Sequence, residues 1–248
     1  ADIQADLSGN IWILIPNEGI FKYKNEQLYH YEVIRKENLA YDTPECICIT
    51  KAGEVWVGTN GAGLFLYDNE SDTFKQYITD KDWNSLKGKY IFSICEYRDN
   101  IAMAIHEEEL KKFNPATNSL TNINAPSVHY TVLRDLACFN DHELWVATHA
   151  GLFIIDEKEN KVTHYKEDLV HPYSLTDNII YTIYKDKEDG IWLGTLFGGV
   201  NYLPGNRMEF DKFIPLASAN SLSGKRIREL AKDNEGNIWI GTDDEGLN

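Results

Sequence analysis

Gly236-Asn237-Ile238-Trp239-Ile240-Gly241-Thr242 decides the fold, because the chain has already written the same phrase several times. Gly9-Asn10-Ile11-Trp12-Ile13, Gly53-Glu54-Val55-Trp56-Val57-Gly58-Thr59, Glu143-Leu144-Trp145-Val146-Ala147-Thr148 and Gly190-Ile191-Trp192-Leu193-Gly194-Thr195 are earlier versions. Trp56 follows Trp12 by 44 residues, Trp145 follows Trp56 by 89, and Trp192 and Trp239 follow at 47 each. The interval of 89 is two periods, and the missing copy is Asp99-Asn100-Ile101-Ala102-Met103-Ala104-Ile105, with Ala102 in place of tryptophan. Self-similarity at a period of about 45 residues marks a repeat architecture.

Each copy reads as four short strands. The first is apolar, over 46–50, 91–97, 132–139, 179–185 and 227–232. A polar turn follows, such as Asp6-Leu7-Ser8-Gly9, Asp186-Lys187-Glu188-Asp189-Gly190 or Asp233-Asn234-Glu235-Gly236. There Asp supplies a local side-chain bond and Gly the positive φ of a tight hairpin. The tryptophan strand is apolar at nearly every position, as a strand covered on both faces should be. A Gly-rich turn leads to the third strand at Gly19-Ile20-Phe21, Gly63-Leu64-Phe65, Gly151-Leu152-Phe153 and Gly199-Val200-Asn201. The fourth, most polar strand carries Phe74/Tyr77, Leu120/Ile123, Val162/Tyr165 and Phe210/Phe213, and suits an outer edge. No copy has the apolar spacing of a helix. The expectation is an all-β propeller of four-stranded antiparallel blades, a single domain or fragment over 1–248, centred near Trp12, Trp56, Ala102, Trp145, Trp192 and Trp239. The tryptophans should fill the gaps between blades, the Gly-Thr after them should allow close backbone approach, and Ala102 and Ala104 should leave the third blade the weakest packed. The chain opens at the end of a first strand and stops on entering a third. About five blades plus part of another, a piece of a longer array, is therefore expected; a six-blade ring with an irregular terminal blade is the alternative.

Composition agrees. The 248 residues are 43% hydrophobic and 25% charged, which excludes disordered and collagen-like chains. No apolar run approaches the roughly 18 residues of a membrane-spanning helix. A net charge of −15 argues against nucleic acid and anionic membrane surfaces as partners. Fourteen Tyr, ten Phe and six Trp against two Met suit a β-rich fold. Cys46, Cys48, Cys95 and Cys138 have no zinc spacing and are read as small buried hydrophobes, with Cys46 and Cys48 on one strand face. No signal peptide is visible at Ala1, which fits a mature product or an excised piece.

The run from Asp233 to Leu247 resembles the two-component regulator propeller repeat, as do Val55 to Leu64 and Ile191 to Thr195 with Gly198-Gly199. Asn84-Ser85-Leu86, Tyr173-Ser174-Leu175 and Asn220-Ser221-Leu222 match the triplet that precedes the family's first strand. The copy at 99–123 lacks Trp, Gly-Thr and Gly-Gly, and the first has Ile13-Leu14-Ile15 where Gly-Thr belongs. The resemblance implies the periplasmic sensor part of a Bacteroidetes hybrid two-component protein. It implies two successive propellers, an immunoglobulin-like domain, one membrane helix and a histidine kinase in the whole protein, in dimeric form, responding to an oligosaccharide. This chain would be the sensing part, not itself an enzyme.

One end of a propeller collects the loops between second and third strands and the segments joining blades. The first set holds His106-Glu107, His149-Ala150 and Leu196-Phe197, and the second holds Tyr90, Tyr130 and Arg226. A sugar site needs planar polar groups beside an aromatic face. Tyr90, His106, Glu107, Tyr130, His149, Phe197 and Arg226 are therefore candidate ligand contacts, each alternatively a solvated loop residue. Trp83, the tryptophan outside the repeat, is the best single surface anchor or else a plug between blades. No catalytic residue, metal site or cofactor is expected: GxSxG, HExxH and Walker motifs are missing, and His106, His149 and His164 are scattered. A propeller glycosidase or polysaccharide lyase using a carboxylate such as Glu107, and a protein-interaction scaffold, are the rival readings.

Overall fold

A computed structural model describes residues 2–15, 17–32, 43–77, 89–106, 109–125, 128, 131–168, 171, 173–205, 213, 215 and 221–248. They fall into two compact units, Ala1–Glu167 with Leu175–Pro204, and Asp168–Ser174 with Gly205–Asn248.

The first unit is a succession of antiparallel meanders, one per repeat. The first sheet runs β1 (Asp2–Ala5), β2 (Ile11–Ile15), β3 (Gly19–Lys24), β4 (Gln27–Tyr31). The second runs β5 (Thr43–Ile49), β6 (Val55–Asn60), β7 (Leu64–Asp68), β8 (Thr73–Gln76). The third is β9 (Ile91–Tyr97), β10 (Asn100–Ile105), β11 (Glu109–Asn114), β12 (Ser119–Asn122). The fourth is β13 (Leu133–Cys138), β14 (Glu143–Thr148), β15 (Gly151–Asp156), β16 (Lys161–Tyr165). The fifth keeps three strands, β17 (Ile180–Lys185), β18 (Ile191–Thr195), β19 (Val200–Leu203). Its expected fourth strand includes Phe210, outside the described residues. First strands neighbour first strands: β1 lies against β5, β5 against β9, β9 against β13 and β13 against β17. The second unit holds one three-stranded sheet, β20 (Ile227–Lys232), β21 (Ile238–Thr242), β22 (Gly246–Leu247).

The repeat phrase has a physical reason at each letter. The turn aspartate caps its hairpin: Asp6 Oδ1 accepts the N–H groups of Ser8 and Asn10, and Asp233 Oδ1 those of Glu235 and Asn237. The other carboxylate oxygen accepts the indole N–H, at 3.0 Å from Trp12, 2.7 Å from Trp192 to Asp186, and 2.9 Å from Trp239. Gly9 and Gly236 take the positive φ expected of them, but in the Asp186 turn Asp189 takes it (φ 63°) and not Gly190. Gly190 is needed for space instead, because a Cβ there would lie 2.4 Å from the Tyr202 hydroxyl. The threonine closes the next loop. Thr59, Thr148, Thr195 and Thr242 each donate their hydroxyl to the carbonyl of Gly63, Gly151, Gly199 and Gly246 respectively, at 2.8–2.9 Å. Gly58 makes room for side chains where close backbone approach was expected: a Cβ would meet Cys46 Sγ at 2.6 Å and Ile91 of the next sheet at 2.9 Å.

Trp12 packs with Ile47, Val57, Phe65 and Phe74 of the second sheet, Trp56 with Ile91, Met103 and Phe113 of the third, and Trp145 with Ile180, Ile183 and Leu193 of the fifth. These three rings fill the gaps between sheets as expected. Trp192 and Trp239 stay 40% and 45% exposed, each in the last sheet of its unit. The third blade is not loosely packed. Ala102 and Ala104 are fully buried with Tyr97, Leu110 and Ile123 against Leu136, Val146 and Phe153 of the fourth sheet. Tyr97 brings a buried ring and donates its hydroxyl to the His142 carbonyl, so bulk lost at Ala102 is supplied from the neighbouring strand.

Polar ties cross the same gaps. Asp2 accepts the Ile47 N–H, Gln4 brackets the Ile47 carbonyl and the Ile49 N–H, and Glu96 accepts the Lys51 N–H. Asp135 accepts Ser93 Oγ and the Ile183 N–H, both at 2.8 Å, linking three successive sheets. Cys46 and Cys48 are buried in the same cluster, and burial raises both thiols, Cys48 to about 12.

Candidate functional site

At one end of the sheets, the second-to-third-strand loops are bonded to the segments that enter the first strands. The N–H groups of His106, His149 and Leu196 donate to the carbonyls of Tyr90, Val132 and Ile179, and Gly61 and Gly151 reach Lys89 and Asn178 of the next repeat. In the second unit Asp243 donates to the Arg226 carbonyl in the same way.

The first strands have a shared irregularity at this end. In β5, β13, β17 and β20 the pairing with the second strand skips one residue, namely Glu45, Arg134, Tyr181 and Arg228. In β9 the skipped residue is Phe92, between Ile91 and Ser93. A bulge of this kind leaves one residue unpaired and re-aims its side chain. Within the first unit, four such residues form a row across successive sheets. Glu45 Oε2 accepts the Tyr90 hydroxyl at 2.9 Å. The Tyr90 ring lies 4.4 Å from that of Phe92, which is 6.1 Å from His106. The Arg134 guanidinium lies 5.9 Å from the Phe92 ring and 4.7 Å from that of Tyr181. Arg134 Nε donates to His149 Nε2 at 2.8 Å, and the His149 ring is 6.2 Å from Tyr181.

The electrostatics follow. Burial and the Glu45 bond push Tyr90 up to about 12, so it stays a hydroxyl donor. Burial and then the Arg134 charge lower the His149 pKa, and the bond from Arg134 requires the neutral ring with its proton on Nδ1. The row thus offers a carboxylate, a phenol, aromatic faces, an imidazole and one guanidinium.

Of the expected contacts, the structure brings Tyr90, His106 and His149 into this row. Phe197 stands 86% exposed, with its N–H on Asp177 and no ring contact among the described residues. Arg226 belongs to the second unit, where the bulged Arg228 pairs with Asp243 at 2.9 Å. Trp83, Glu107 and Tyr130 lie outside the described residues. Glu45, Phe92, Arg134 and Tyr181 were missed by sequence reasoning. Charged Glu45 and Arg134 just before or within otherwise apolar first strands were the available signal. His164 is exposed on the fourth strand of its sheet, where it stacks on Phe153 at 3.8 Å and bonds the Ala150 carbonyl through Nε2. No metal-binding cluster occurs among the described residues, and no helix there is long and apolar enough to cross a membrane. Two clefts of about 410 Å³ lie at the opposite end, by the hairpin turns; one is lined by Asp6, Trp12, Lys22 and Tyr67, the other by Glu54, Tyr67 and Tyr77.

Sheet-by-sheet repetition with these ends defines a β-propeller protein. The family model of the two-component regulator propeller matches two of its repeats, at residues 174–197 and 221–244. Among solved structures, the chain is similar to the extracellular domain of a hybrid two-component system from B. thetaiotaomicron (25% identity, TM-score 0.65, 97% of this chain and 32% of that one). Another structure, an extracellular domain from B. thetaiotaomicron described as a one-component system, aligns at 22% identity and TM-score 0.64, over 98% of this chain and 39% of that one. Virginiamycin B lyase from Staphylococcus aureus shares the fold at 15% identity and TM-score 0.59, over 99% of this chain and 82% of that one. The chain therefore spans about a third of the length of the B. thetaiotaomicron domains. No curated protein matches it.

Proposed function

We propose that this chain is the ligand-receiving propeller portion of a periplasmic sensor in a hybrid two-component protein, and that the ligand is an oligosaccharide. The observation that carries the reading is the row from Glu45 to Tyr181, which sets hydrogen-bonding groups beside aromatic faces at the loop-bearing end. Sugar rings are met in this way, with apolar faces on aromatic rings and hydroxyls on planar polar groups. The family match and the likeness to a hybrid two-component extracellular domain support the sensor role. In the whole protein this portion would be joined to a further propeller, an immunoglobulin-like domain and a histidine kinase, acting as a homodimer. Binding would bias the arrangement of these parts through its differential affinity for two states. The fold alone does not separate sensor from enzyme, since a lyase shares it. Titration calorimetry of the chain against a panel of oligosaccharides tests the reading. Saturable binding without change of the sugar supports a sensor, whereas cleavage of the sugar supports the glycosidase or lyase reading. Failure of the whole panel contradicts the oligosaccharide assignment.

A further inference from the structure

We infer that Arg134 receives the acidic group, carboxylate or sulfate ester, of a charged sugar. The inference rests on the oligosaccharide reading of the same row and narrows it to anionic saccharides.

Three observations converge on Arg134. First, it is oriented. Its Nε–H is fixed on His149, and its Cζ lies over the Tyr181 ring at 4.7 Å and, more distantly, over Phe92 at 5.9 Å. A guanidinium tethered through Nε keeps its two terminal nitrogens for another partner, and their fork matches a planar oxyanion through two parallel bonds. Second, it is not neutralised. Arg98, the other arginine described in the first unit, faces Asp156 and Glu157, and Lys51, Lys75, Lys112 and Lys185 all have carboxylates within 2.8 Å. Arg134 makes no ion pair among the described residues, in a chain carrying −15. Third, its tether suits the task. His149 accepts from Arg134 and adds no negative charge, so it fixes the guanidinium without compensating it. A structural arginine is ordinarily held by a carboxylate. Holding one by a neutral imidazole leaves its charge available beside the aromatic faces of the row.

The Glu45 carboxylate stands at the other end of the row, bonded to Tyr90 and to Thr43 Oγ1. An anion on Arg134 would thus have Phe92 and Tyr90 between itself and Glu45, and a single sugar orientation would be favoured.

The test uses the 248-residue chain and three probes: tetragalacturonate, its methyl ester and a sulfated neutral galacto-oligosaccharide. A charge-assisted bidentate pair should favour the acid over the ester by about tenfold to a hundredfold in Kd. Arg134→Gln should abolish that preference, and Arg134→Lys should restore only part of it. Tight binding of the sulfated probe, lost in Arg134→Gln, would assign the site to sulfate esters. Equal binding of acid and ester by the unaltered chain overturns the inference while leaving the oligosaccharide reading intact. Retention of the acid preference in Arg134→Gln, with an unchanged circular dichroism spectrum, overturns it too. Binding of none of the three, with neutral oligosaccharides also inert, overturns both.

Discussion

Asp135 ties three sheets together, and removing it should loosen the first unit measurably. Its carboxylate accepts Ser93 Oγ from the third sheet, the Leu136 N–H of its own strand and the Ile183 N–H of the fifth. In Asp135→Ala the Leu136 N–H retains Ser93 Oγ at 3.1 Å, but the Ile183 N–H loses its acceptor. An unsatisfied buried donor costs about 1–3 kcal/mol, and the lost Ser93 bond about 1 kcal/mol more. Against this, the variant no longer has to desolvate a carboxylate, which offsets roughly 1–2 kcal/mol. The net is about 2 kcal/mol, or about 4–8 °C in Tm for a chain of this size. The effect should also depend on pH. Burial, the largest influence on Asp135, raises its folded pKa above that of the free side chain despite its hydrogen bonds. Below the ordinary carboxylate pKa both states hold the proton. As pH rises past about 4 the unfolded chain ionises first, so the wild-type protein loses stability until its folded pKa is passed. The alanine variant has no such group, so the gap between the two should narrow from pH 4 towards pH 7. Thermal unfolding of both proteins at several pH values in that range is the assay. A shift below about 1 °C, or a gap that widens with pH, would refute the account of Asp135 as a desolvated tie.

Two more outcomes follow from the repeat chemistry. Trp56→Ala, at a fully buried ring, should destabilise by about 3–5 kcal/mol in urea, and Trp239→Ala, at a ring 45% exposed, by clearly less; equal effects would contradict the packing described. The hydrogen bonds from Asn237 and the Trp239 indole hold Asp233 down at about 2. Its contribution is therefore present above about pH 4 and lost as pH falls towards 2, so the Trp239 indole N–H resonance should shift with a midpoint near 2; a midpoint near 4 would mean that the bond does not form.

The blades were legible because most repeats spend the same kinds of residue on the same job. A turn aspartate takes the indole N–H of Trp12, Trp192 and Trp239, Glu54 and Glu143 take those of Trp56 and Trp145, and a threonine closes the next loop in four copies, so the same jobs recur with few substitutions. The third copy misled because Tyr97, on a different strand from Ala102, supplies the missing ring, and a comparison by position does not see compensation from a neighbouring strand. The row of bulged residues was illegible for the opposite reason. It recurs in place more than in letter: Glu45, Phe92, Arg134, Tyr181 and Arg228 share a backbone position, and only Arg134 and Arg228 share a residue type. A bulge also breaks the alternation by which a strand's exposed face is read from sequence. Loop position alone did identify Tyr90, His106 and His149, since hydrogen bonds hold the loops to the strand entrances, but it equally nominated Phe197, which stands apart.

The central claim is that ligand is received at the row of bulged first-strand residues. Carbon–proton and nitrogen–proton correlation spectra of the chain, recorded while a binding oligosaccharide is titrated in, test it most directly. The account predicts the largest saturable shifts at Phe92, Arg134, His149 and Tyr181, with Trp12, Lys22 and Tyr67 of the opposite-end cleft unmoved. Shifts centred on Trp12, Lys22 and Tyr67, with the Arg134 row silent, would contradict it.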